Sequence, residues 1–172
     1  MSKRDLRKYL DALDKQQIVE QFLELYDKFS EVKTYYDFVF NPKEEKLVGE
    51  AKAKISNEYF PVKTKRAKLR RSTAQKIIKH FLMLGVDPFA IADVMLYTIE
   101  VAQKYSARRE MRYASFYKSM LNSYEQAIHY VIANGIASEF KNRIHSILLE
   151  AERQRWENAF EMRQAAEKLD FA

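Results

Sequence analysis

Three glycines and three prolines in 172 residues leave this chain few places to break, so its regular structure must run in long segments. The apolar residues say which structure that is. Ile18, Phe22, Leu25, Phe29, Val32, Tyr36 and Phe40 are spaced by three or four positions, the period of one helix face. The chain therefore reads as all-α. About seven helices are expected, as antiparallel αα-hairpins in a bundle or a short superhelical array, ending in a long C-terminal helix.

Capping chemistry places the helices. Ser2 with Asp5 starts a short helix over 3–12, and Asp14 with Gln17 has the form of a capping box that opens the striped helix running to Phe40. Asn41-Pro42 supplies an N-cap and a first-turn proline for a third helix, with Leu47, Ala51, Ile55 and Tyr59 on one side and Phe60-Pro61 as its stop. Ser72-Thr73-Ala74-Gln75 repeats the capping-box form, opening a helix that turns Ala74, Ile77, Ile78, Phe81 and Leu84 inward. Gly85-Val86 is a left-handed stop and Asp87-Pro88 a start, so 89–105, apolar nearly all round, is expected to be the most buried helix. A loop over 106–113 and a helix over 115–133 follow, and Asn134-Gly135-Ile136 repeats the stop. The last helix is expected over 138–169. Trp156 and Phe160 there lie on a different face from Phe140, Ile144, Ile147 and Leu148, which implies a kink or a second covered surface. One domain over 1–172 is expected, with helices in 1–60, a basic linker over 61–71 and a helical core over 72–172.

Charge is the second constraint. Residues 1–60 carry 11 Lys or Arg against 12 Asp or Glu, residues 80–172 carry 11 against 12, and residues 61–79 carry eight against none. A field of one sign points to an anionic partner. Lys63, Lys65, Arg66, Lys68, Arg70 and Arg71 are read as a flexible arm leading into a helix start, whose own amides favour anions, with Lys76 and Lys79 on the outer face beyond. Arg108, Arg109 and Arg112 lie among Tyr105, Tyr113, Phe116 and Tyr117, the mixture that single-stranded nucleic acid uses for phosphate contact and base stacking. Tyr105 and Tyr113 are expected to be the exposed rings and Tyr117 a buried one. The plainer alternative is a solvated linker, or one folded over Glu44, Glu45 and Glu50 of the same chain.

The segments Asn41-Pro42-Lys43-Glu44-Glu45-Lys46-Leu47, Ser72 through Phe81 and Asp93-Val94-Met95-Leu96-Tyr97 resemble a small bacterial family of unknown function, over most of the chain. That resemblance implies a bacterial, cytoplasmic, helical protein and brings no activity, cofactor or residue role. Residues 3–32, a short helix, a tight Asp14-Lys15 turn and a longer amphipathic helix, are similar in outline to the SAP DNA-binding module. They lack its glycine-containing connection and are electrically balanced.

Catalytic and metal chemistry find little support. The absence of cysteine excludes disulfides and thiolate metal sites. His80, His129 and His145 stand on three different predicted helices, and no Gly-rich phosphate loop, nucleophile elbow or zinc spacing occurs. Asp93 and Glu100, two turns apart, can be drawn as a carboxylate pair with one pKa raised for acid catalysis, although a lysine-paired stripe is the plainer reading. No apolar run reaches the ~18 residues of a membrane span, and no secretory leader follows Met1, so the expected address is the cytoplasm. Expected, then, is a non-enzymatic binding protein without a cofactor, engaging nucleic-acid phosphates through 61–79. The alternative is a helical interaction adaptor or homodimer that meets an acidic or apolar protein partner through the basic segment or the C-terminal helix, with Trp156, Phe160 and Met162 at the interface.

Overall fold

The computed structural model describes every residue except Met1, Thr64, Lys65, Glu110 and Ala172, and every described side chain except that of Phe171. Among the described residues there are nine α-helices and no strand. They fall into two compact units, residues 1–42 and 43–172.

The first unit holds α1 (Lys3–Asp11), α2 (Lys15–Lys28) and α3 (Ser30–Phe40). Both expected capping boxes form, Ser2 with Asp5 and Asp14 with Gln17. The single long helix expected to reach Phe40 does not. Phe29 is extended (φ −117°, ψ 113°), and the chain folds back so that the Phe22 ring meets the Tyr36 ring edge-on at 5.0 Å and the Tyr26 hydroxyl donates to Asp37 Oδ1 at 2.6 Å. A straight helix would hold residues 26 and 37 about 16 Å apart. Folding back lets the two halves of one apolar stripe meet each other.

The second unit holds α4 (Glu44–Tyr59), α5 (Arg71–Leu84), α6 (Pro88–Ser106), α7 (Ala114–Ala133), α8 (Ala137–Arg153) and α9 (Ala159–Glu167), with a 3-10 turn at Lys168–Phe171. Asn41-Pro42 does not open α4: Asn41 closes α3, and α4 starts after Lys43 without a side-chain cap. Gly85 and Gly135 take left-handed conformations (φ 71° and 67°), and the Val86 and Ile136 N–H groups donate back to Phe81 and Val131 as the stop signals require. Asp87 caps the Phe89 N–H at 2.8 Å with Pro88 next in line. As expected, α6 is the most buried helix, with α4, α5, α7 and α8 packed around it.

The expected helix over 138–169 is broken. Residues 154–158 form a turn with Arg155 left-handed (φ 58°), and the Trp156 N–H donates to Ala151 O at 2.9 Å, so the chain stops without a glycine. The reason is Trp156. Its ring packs edge-on against Phe116 and Tyr117 at 5.6 and 5.7 Å, and α9 then lies on α7 and α8.

Four contact pairs orient α4, α6 and α8. Glu44 Oε1 accepts from the Asp87 N–H, Lys52 Nζ lies 2.6 Å from Asp93 Oδ2, and Tyr59 packs on Tyr105, so α4 and α6 run side by side in one direction. Ser106 Oγ donates to Gln154 Oε1 at 2.6 Å, bringing the end of α8 to the same place. The loops leaving these helices therefore start together at one end of the second unit, at Phe60, Ala107 and Gln154.

Candidate functional site

Glu58 organises this end. It lies in the last turn of α4, where backbone carbonyls lack helical partners. Its carbonyl accepts from the Lys68 and Leu69 N–H groups at 2.9 and 3.1 Å. Its buried carboxylate takes a two-pronged bond from Arg70 (Nε to Oε2 3.0 Å, NH2 to Oε1 2.9 Å) and a third from the Thr73 hydroxyl at 3.0 Å. The Arg70 bonds, with help from Thr73, outweigh burial and hold the Glu58 carboxyl below its ordinary pKa. Leu69 is left-handed (φ 53°), a conformation this bonding pins in place.

The basic segment is thus not a loose arm over 68–71. Arg70, in an extended conformation, is the residue before α5, and Ser72 lies inside the helix without making its expected capping box. Arg71 is half-buried and turned inward, donating to Ser123 Oγ at 2.8 Å and Gln126 Oε1 at 3.3 Å on α7. The acid that receives the segment is Glu58, not Glu44, Glu45 or Glu50. Glu44 instead accepts from Asp87, and Glu50 lies 4.0 Å from Lys46. Sequence reasoning passed over Glu58, although it is the last carboxylate before the acid-free stretch and sits where a helix ends.

Lys63, Lys68 and Lys79 are exposed, and among the described residues none has an acidic partner. Lys76 is exposed beside the α4–α5 groove of about 380 Å³ that Lys54, Ala51 and His80 also line. Arg66 and Arg112 lie on the surface, and Lys65 falls outside the described residues.

The second basic cluster begins beside the loop that carries the first. Arg108 lies over the Phe60 ring at 5.8 Å, and Phe60 packs on Tyr105, so 107–113 starts against the first residue of the 60–70 loop. Arg109 stacks on Tyr105 at 5.2 Å and donates to its hydroxyl at 3.3 Å. Tyr105 is therefore buried, against the expectation of an exposed ring, and Tyr117 is half-buried; Tyr113, 71% exposed, is the ring open to solvent. Lys104, Arg108 and Arg153 line a groove of about 450 Å³ between α6 and α8, where Arg153 is paired with Glu150 at 2.6 Å.

The C-terminal candidates separate. Trp156 and Met162 are core residues, 3% and 0% exposed, so neither offers a surface; Phe160, 66% exposed, does. The break at 154–158 turned the first two inward.

Asp93 and Glu100 are joined by Arg143 of α8, whose guanidinium donates to Glu100 Oε1 at 2.6 Å and Asp93 Oδ1 at 2.7 Å, while Lys52 of α4 closes on Asp93. Burial alone would raise the Asp93 pKa, but the bonds from Lys52 and Arg143 outweigh it and leave the carboxyl below its usual range. An acid catalyst needs the opposite shift. The cluster ties three helices together.

Among the described residues no group of His, Cys, Asp or Glu is placed to hold a metal ion, and no helix is long and apolar enough to cross a membrane. A model for a family of unknown function (DUF6155) matches residues 1–170. No curated protein and no solved structure matches the chain.

Proposed function

The chain belongs to the DUF6155 family of unknown function, and on that premise we propose that it is a non-enzymatic binding protein whose basic end engages nucleic acid through phosphates. One observation carries the reading: Arg108 stacked on Phe60 brings the start of the second cluster, 29 or more residues from the first in sequence, against the start of the loop that carries the first. Lys63, Lys68, Arg108 and Arg109 present exposed donors there, Lys79 extends the charge about 12 Å along α5, and Arg70 and Arg71 serve the fold. Phosphate contacts of this kind position a protein without reading sequence, and Tyr113 adds one face for base stacking. Antiparallel αα-hairpins are the scaffold in this proposal, and a bacterial cytoplasm its setting.

Fluorescence anisotropy of labelled single-stranded DNA, duplex DNA and RNA, titrated across salt, tests it. Neutralising about six phosphates gives a log-log slope near −5. Lys63→Ala, Lys68→Ala and Lys79→Ala together are expected to weaken binding to every sequence alike while leaving the helical content unchanged. No binding at low salt would sink the proposal.

The second reading is a helical adaptor for a protein partner. Without Trp156 and Met162, its surface at the C-terminal end reduces to Phe160 with Leu149, 64% exposed.

A further inference from the structure

The helices α1, α2 and α3 form a compact unit, yet none of them buries a single side chain. Eleven large apolar residues between Leu6 and Phe40 are 37–75% exposed, Leu23 (57%) and Phe40 (75%) most of all. Isolated apolar residues on a surface are ordinary, but a whole unit without a core is not. The chain has no cysteine with which to staple such a unit. Association is the remaining common source of stability for helices that bury so little.

The charges choose the occupant. Helix α1 carries four cations against two carboxylates, whereas residues 14–37 carry six carboxylates against three cations. Within one chain these excesses do not meet. Asp5 is spent on the Ser2 cap, Asp11 faces Arg7 at 4.0 Å, and among the described residues no ion pair joins α1 to α2 or α3. The unit as a whole is nearly neutral, seven cations against eight carboxylates, so two copies do not repel. A unit with a cationic helix and an acidic pair of helices, with no ion pair between them in its own chain among the described residues, is complementary to a second copy of itself under a two-fold rotation.

We propose that residues 1–42 are a homodimerisation module, in which α1 to α3 of two copies pair about a two-fold axis and set each cationic α1 against the other copy's acidic α2 and α3. A stable interface needs ~800 Å² per partner, and the exposed apolar side chains of α1 to α3 are its source in this arrangement. The phosphate-binding residues take no part, so the two proposals stand or fall separately.

Sedimentation equilibrium of the whole chain, at concentrations up to about 100 μM, reads the result. The expected mass is twice 20.4 kDa, and Leu23→Glu with Phe40→Glu is expected to raise the dissociation constant at least about tenfold. A charge swap guards against a variant that merely misfolds. Lys3→Glu, Arg4→Glu and Lys8→Glu in one protein, and Glu20→Lys, Glu24→Lys and Asp27→Lys in another, each weaken self-association, and mixing the two restores a dimer of one copy of each. A wild-type chain that stays at 20.4 kDa throughout, or charge variants that fail to pair when mixed, would overturn the proposal.

Discussion

Glu58 shows how one side chain can decide what a charged segment is for. By closing on Arg70 and Thr73 it turns the end of the basic stretch into structure and leaves Lys63, Lys68 and Lys79 facing solvent. On the proposed nucleic-acid binding, Glu58→Gln should therefore separate stability from binding. Losing the charged hydrogen bonds is expected to cost about 2 kcal/mol, read from the denaturation midpoint, while release of the Arg70 guanidinium steepens the salt slope for nucleic acid by about one. A variant that loses stability and binding together would mean that the segment needs its anchor to bind at all. The Arg143 cluster makes a pH prediction. Asp93 and Glu58 have folded pKa values below their unfolded ones, so their stabilisation is complete above the ordinary carboxylate range and is lost as pH falls through the folded values. Melting temperature should hold steady down to about pH 5 and drop below about pH 4. Arg143→Ala leaves Glu100 without its partner and Asp93 with Lys52 alone, and should cost about 3 kcal/mol at neutral pH and flatten that acid limb.

At the scale of the element, three stops end in left-handed residues, and only two of them use glycine. Gly85 and Gly135 were legible in the sequence because the residue type announces the conformation. Arg155 was not, since nothing in its identity favours φ 58°; Trp156 is drawn into the core beside Phe116 and Tyr117, and the turn follows from that burial. The change of apolar face at Trp156 was the only sign of it. Arg155→Gly should therefore stabilise the protein by about 1 kcal/mol by removing the left-handed penalty. Gly85→Ala should destabilise it by a similar amount through conformation alone, because no atom lies within 4 Å of the added methyl position. Calorimetric melting of the two variants checks both signs. The break at Phe29 was equally hidden. An unbroken stripe from Ile18 to Phe40 satisfies helix periodicity perfectly, and the fold-back at an ordinary residue serves a contact between Phe22 and Tyr36 that spacing alone cannot reveal.

For the whole molecule, local chemistry was decisive wherever a residue's own type sets the backbone. The all-helical class, the two N-terminal capping boxes, the Gly-aliphatic stops, the Asp87-Pro88 start and the buried character of α6 all rest on interactions within a few residues of each other, and all of these were readable from the sequence. The charge asymmetry was as plain. What the sequence could not supply was which distant groups meet. Tertiary packing set α4 and α6 side by side, so that Arg108 covers Phe60; it spent Arg70 and Arg71 on the fold, and it buried Tyr105, Trp156 and Met162, which sequence spacing had left for the surface. The physical reason is the same throughout. Caps and periodicity are short-range and belong to the residues that carry them, whereas burial and charge pairing belong to neighbours that only the packed chain brings within reach.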